Sequence, residues 1–128
     1  MNYFFRSIIL IIVLLIFSSC SSKKPLVSNG AIIIFKTPNM KFYDKGFVKK
    51  YDKYINLQIY NSGVVSLNLD IYKYKVCKGI LQCMNSSEFN KIYLNNTYED
   101  EFLYNLFSSK NIYFKDKING IFIKVKKL

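Results

Sequence analysis

Tyr54-Ile55-Asn56-Leu57-Gln58-Ile59-Tyr60, then Asn61-Ser62-Gly63, then Val65-Ser66-Leu67-Asn68-Leu69-Asp70-Ile71 make up the most regular stretch of this chain. Every second residue of each arm is a large aliphatic, with polar or amphipathic residues between. Successive strand side chains point to opposite faces, so this alternation predicts two antiparallel strands with one face buried and one wet. A slip of one residue would exchange the faces, and the apolar pattern therefore sets the register. The face assigned to the interior carries Ile55, Leu57, Ile59, Val65, Leu67 and Leu69. Asn61-Ser62-Gly63 supplies the turn.

Upstream, Ala31 to Lys36 is strand-like and stops at Thr37-Pro38, because proline cannot donate to a ladder. Met40–Tyr43 and Phe47–Tyr51 flank Asp44-Lys45-Gly46, which predicts a hairpin with the glycine in its turn. Downstream of Ile71 the apolar phase moves to Tyr72, Tyr74 and Val76, and a bulge or turn near Asp70 is expected. Ser86-Ser87-Glu88 precedes Phe89, Ile92 and Tyr93 at helical spacing. Thr97-Tyr98-Glu99-Asp100 likewise precedes Phe102, Leu103, Leu106 and Phe107. A hydroxyl cap before an early acid favours a helix start, so two short helices are expected. Asp116-Lys117-Ile118-Asn119-Gly120 then separates two more strands with an Asn-Gly hairpin signal. Lys126-Lys127 would protect an edge strand. The expected class is α+β: a curved antiparallel β-sheet built of hairpins, with two short helices.

The front of the chain has a different logic. Arg6 is followed by an unbroken apolar run from Ile8 to Phe17 and by the small residues Ser18 and Ser19. That is the layout of a signal peptide over residues 1–19. The run is far short of the roughly twenty residues a membrane-spanning helix needs. Phe17-Ser18-Ser19-Cys20 resembles the lipobox of bacterial lipoproteins. The resemblance implies cleavage before Cys20, a diacylglycerol on its thiol, and no cofactor beyond that covalent lipid. Ser21 stands where aspartate would signal inner-membrane retention, which implies the outer membrane. Residues 20–29 read as the lipidated cysteine and a polar tether, and residues 30–128 as one domain.

The formal charge of +11 is carried by lysines scattered along the strands. Export removes nucleic acid as a partner, leaving a solvated lysine surface or attraction to anionic headgroups or cell-wall polymers. The chain has no histidine, so it lacks the commonest general base and neutral metal ligand. Glu99, Asp100 and Glu101 are its one acidic cluster, and a helix N-terminus accounts for them. With no nucleophile motif or phosphate cradle, the reading is not an enzyme and no metal site. Cys77 and Cys83 would pair as a disulfide in an oxidising compartment, with Gly79 at the bend. Tyr54, Tyr60, Tyr72 and Tyr74 are sheet positions that would also make an aromatic face.

Hairpins, a crossing helical segment, a last hairpin and a lipobox together are similar to the LolB family of outer-membrane lipoprotein receptors. In its middle hairpin, Leu57 to Val65, Asn61 and Gly63 match the family's loop, while Ser62 stands where the family has Pro-Leu. The resemblance implies an incomplete β-barrel, and an acyl-chain-binding face made of Ile55, Leu57, Ile59, Val65, Leu67 and Leu69. Lipoprotein acyl chains would be its ligands. Read without it, the chain is a lipid-anchored envelope lipoprotein facing the periplasm. It would act as a small non-enzymatic interaction or assembly module for other envelope proteins.

Overall fold

The structure, a computed structural model, describes residues 1–16 and 23–128. The expected lipidation residue, Cys20, lies outside the described residues. The apolar leader forms helix α1 (Asn2–Ile16), none of whose residues is buried. No helix among the described residues is long and apolar enough to cross a membrane.

Eight strands follow: β1 (Val27–Lys36), β2 (Lys41–Lys50), β3 (Tyr54–Asn61), β4 (Val64–Tyr72), β5 (Lys75–Lys78), β6 (Gln82–Asn85), β7 (Tyr113–Asp116) and β8 (Ile121–Lys127). Helices α2 (Ser86–Tyr93) and α3 (Phe102–Ser108) lie between β6 and β7. All strands join one antiparallel sheet in the order β6-β5-β4-β3-β2-β1-β8-β7. The helical segment thus carries the chain from one edge of a meander to the other. The sheet is curved and not closed into a barrel, and the class is α+β as expected.

The helices cover one face. Phe89 of α2 and Leu103 and Phe107 of α3 are buried in one cluster with Ile33, Phe35, Leu57, Leu69 and Ile123 from the sheet. Phe35 and Phe107 stack with ring centroids 6.4 Å apart. Burying each such side chain contributes roughly 1.5–3 kcal/mol. The α2–α3 connection is tied to the last hairpin by polar bonds. The Tyr98 hydroxyl donates to the Asp116 carboxylate, which also accepts from the Asn119 side chain at 2.7 Å. Asn95 in turn donates to the Asn119 side-chain oxygen at 2.9 Å.

Several local expectations are corrected. Asp44-Lys45-Gly46 is not a turn, because β2 runs through it unbroken. The reversal lies at Thr37–Met40, where the Thr37 amide donates to the Met40 carbonyl at 2.6 Å and the Thr37 hydroxyl accepts from the Met40 amide at 3.0 Å. Of the two readings of the phase change after Ile71, the turn holds and the bulge does not: it lies at Lys73-Tyr74, between β4 and β5, just past Asp70. Helix α2 is capped by Asn85, whose side chain accepts from the Glu88 amide at 2.8 Å, and not by a serine. Helix α3 starts at Phe102 with Glu101 at the N-cap and has no side-chain cap, while Thr97, four residues before Glu101, is held by Asn95 through its amide and hydroxyl. Local side-chain bonds of this kind compete with helix initiation. β8 is not the outermost strand: Lys126 and Lys127 pair with Ile32 and Ala31 of β1 on one side, and only their other side, past Lys124 where the β7 pairing stops, is an open edge. The ordered domain also starts earlier than Gly30: Leu26 donates to the Lys50 carbonyl at 2.7 Å, and β1 opens at Val27.

Candidate functional site

Five of the six residues assigned to the interior are there. Ile55, Leu57, Ile59, Leu67 and Leu69 are all buried beneath the helices. Val65 is not: it is 43% exposed. Ile59 faces Leu67, but the next pair is Tyr60 with Val65, so Ser66 is an extra residue in β4. A bulge of one residue reverses the facing of everything beyond it, and Val65 joins the outer face with Tyr60. The Ser66 hydroxyl secures the bulge by donating to the Ile59 carbonyl at 3.1 Å.

The acyl-chain-binding face implied by the family resemblance is therefore filled by the protein's own side chains. Leu57, Ile59 and Leu69 have no exposed surface, with Phe89, Leu103 and Phe107 in the same cluster. A packed interior has few voids larger than a water molecule, and an alkyl chain could enter only by displacing the helices. The surface left for recognition is the opposite, uncovered face and the two ends of the sheet.

Cys77 and Cys83 sit directly opposite each other in β5 and β6 and are joined by a disulfide, with Cα atoms 4.0 Å apart. The bond clamps a hairpin whose tip, Ile80-Leu81, is 93% exposed at both residues. Gly79 begins that tip with φ +67, a conformation L side chains rarely adopt.

On the uncovered face, Tyr54, Tyr60 and Tyr72 lie where the alternation places them. Tyr74 belongs instead to the β4–β5 turn. Tyr51, which the alternation did not mark, completes a stack: Tyr51 to Tyr54 is 4.6 Å between centroids and Tyr54 to Tyr72 is 4.9 Å. Lys75 lies over the Tyr72 ring at 4.5 Å. Burial, and then the neighbouring Asp70 carboxylate, push the Tyr54 hydroxyl above the ordinary tyrosine range, so it stays a neutral donor. Beside the stack, the Asn56 amide donates to Asn68 at 2.8 Å and to Asp70 at 2.7 Å, which holds that part of the face rigid. Further along, Phe47 meets Tyr60 edge to face at 5.8 Å, with Lys49 over Phe47 at 5.6 Å. Tyr43 on the same strand face is exposed. A cleft of about 420 Å³ adjoins the tyrosine stack, lined also by Lys23, Lys24 and Leu26 from the segment leading into β1.

The acidic cluster forms no site. Glu101 makes a 4.0 Å ion pair with Lys73, and Glu99 contributes its carbonyl to the Asn90 side chain at 2.8 Å. No group of side chains able to hold a metal ion occurs among the described residues. No protein-family profile matches this chain, and no curated protein or solved structure matches it.

Proposed function

We propose that this protein is exported, lipidated at Cys20 and held at the outer membrane. There its domain acts as a small non-enzymatic interaction or assembly module for other envelope proteins on the periplasmic side. The observation that carries this reading is the division of the sheet into a sealed face and an open one. Ligand uptake needs an apolar interior that a guest can enter, and here Phe89, Leu103 and Phe107 occupy it. The open face presents Tyr43, Phe47 and Tyr60 among lysines, the mixture of aromatic anchors and polar surround that protein interfaces favour. The Cys77–Cys83 bond supports an oxidising compartment, and the apolar leader supports export.

Two measurements test the proposal. Cys20→Ala should leave an unprocessed precursor and abolish palmitate labelling in the native host. A variant that still matures to wild-type mass removes the lipoprotein reading. Photocrosslinkers placed at Tyr43 and Phe47 in the lipidated protein should trap a discrete envelope protein, whereas one placed at exposed Lys91 on α2 should not. Equal trapping from all three positions would sink the open-face assignment.

A further inference from the structure

The open and sealed faces do not account for the ends of the sheet, and these differ. Val27 pairs with Lys50, Tyr54 with Tyr72, and Ala31 with Lys127. The start of β1, the β2–β3 turn, the β4–β5 turn and the end of β8 therefore all lie at one end. Lys23, Lys24, Lys50, Lys53, Lys75 and Lys127 gather there. Of the acids at this end, Asp52 shares the β2–β3 turn, Asp70 beside Tyr54 accepts from the Asn56 amide, and Glu101, which follows Glu99 and Asp100 in the chain, is paired with Lys73. The chain leaves toward Cys20 from the same end. The intervening residues span at most about 24 Å fully extended, so an anchor on Cys20 holds this end close to the bilayer.

We infer that this end of the domain docks flat on the anionic lipid surface carrying the anchor, through its lysines and the Tyr51-Tyr54-Tyr72 stack. The inference takes its orientation from the proposed lipidation of Cys20. The aromatic geometry selects the partner. Each inner ring face of the stack is covered by its neighbour, and Lys75 covers the outer face of Tyr72. These contacts leave the outer face of Tyr51 as the one ring face for a stacking sugar, so the stack mainly offers ring edges and hydroxyls bordered by ammonium groups, together with Leu26, which is 74% exposed beside it. Amphipathic aromatics and lysines of this kind settle at the headgroup level of a bilayer. A diacylglycerol on Cys20 would already supply two acyl chains, so the lysine patch sets the orientation of the domain on the surface and not its anchoring.

The hydrophobic core lies entirely between Ala31 and Ile123 and α1 buries nothing, so a protein of residues 23–128 retains the whole fold without lipid. Its binding to vesicles of phosphatidylcholine alone, and of phosphatidylcholine with phosphatidylglycerol, is measured by co-sedimentation. Binding is expected only to the anionic vesicles and should fade as salt rises. A lysine near an anionic surface contributes about 1 kcal/mol, or roughly fivefold. The triple reversal Lys23→Glu, Lys24→Glu, Lys53→Glu should therefore weaken binding at least tenfold, with the circular dichroism unchanged. Reversing Lys36, Lys41 and Lys117 at the other end changes net charge equally and should alter affinity about twofold or less. Absence of binding to anionic vesicles, or equal loss from both triples, overturns the inference. Palmitate labelling is read separately. Absence of labelling in the wild-type chain, with vesicle binding intact, overturns the lipidation and leaves the docking end supported, and the reverse result overturns the docking end alone.

Discussion

The Cβ that Gly46 lacks would lie 2.0 Å from the backbone carbonyl oxygen of Gln58 and 2.8 Å from the Ile33 side chain. Glycine is needed here because β2 and β3 approach closely, and not because the chain turns. Strand backbone cannot yield as a flexible side chain can. Gly46→Ala should therefore destabilise the domain by about 3 kcal/mol, at the upper end of what overpacking costs. Thermal unfolding of the purified domain checks this, and a melting temperature within a degree or so of wild type would count against it.

Leu67 and Val65 look equivalent in the sequence and are not equivalent in the fold. Leu67→Ala should cost about 2–5 kcal/mol through lost burial and the cavity left behind. Val65→Ala, on the far side of the bulge, should change stability by about 0.5 kcal/mol or less. Urea titrations of the two variants side by side would show the contrast. Similar losses would mean that Val65 faces inward after all.

The disulfide closes a short loop and should contribute on the order of 2 kcal/mol in the chain-entropy model. Replacing Cys77 and Cys83 together by serine should lower stability by about that amount. Hydrogen exchange should quicken first in β5, β6 and the Ile80-Leu81 tip. A non-reduced digest of the wild-type protein should contain one peptide crosslinked through these cysteines, and two freely alkylatable thiols would contradict the pairing.

Asp116 accepts from the Tyr98 hydroxyl and the Asn119 side chain, and these bonds hold its carboxyl below the ordinary carboxylate range. A carboxyl depressed in the folded state adds stability above its unfolded pKa of about 4, and that stability is lost as pH falls through the lower folded value. Tyr98 is shifted the other way, raised by burial first and by Asp116 second. Its contribution is present below the ordinary tyrosine value of about 10 and fades as pH rises toward the folded one. Asp116→Asn should therefore be less stable than wild type at neutral pH, with the gap closing in acid. Melting curves across pH 2 to 7 would reveal this, and a gap that stays constant would show the shift to be irrelevant to stability.

The alternation of Ile55, Leu57 and Ile59 against Asn56 and Gln58 was enough to establish an antiparallel sheet with one wet face, because strand periodicity is local and burial follows it directly. The two short helices, the cysteine pairing and the last Asn-Gly hairpin were legible for the same reason, since each depends on residues close in the chain. Residues whose roles depend on what lies across the sheet were not. Gly46 reads as a turn residue because glycine serves turns and close approaches alike, and only the position of β3 decides between them. Val65 continues the apolar alternation, and only the pairing of Tyr60 exposes the bulge that turns it outward. Tyr51 carries no periodic signal and enters the aromatic stack only because the β2–β3 turn folds it onto Tyr54. The tertiary structure alone also decided that the apolar concavity is closed. Whether Phe89, Leu103 and Phe107 fill a sheet or leave it open depends on where two helices come to rest, and packing between distant segments leaves no local mark in a sequence.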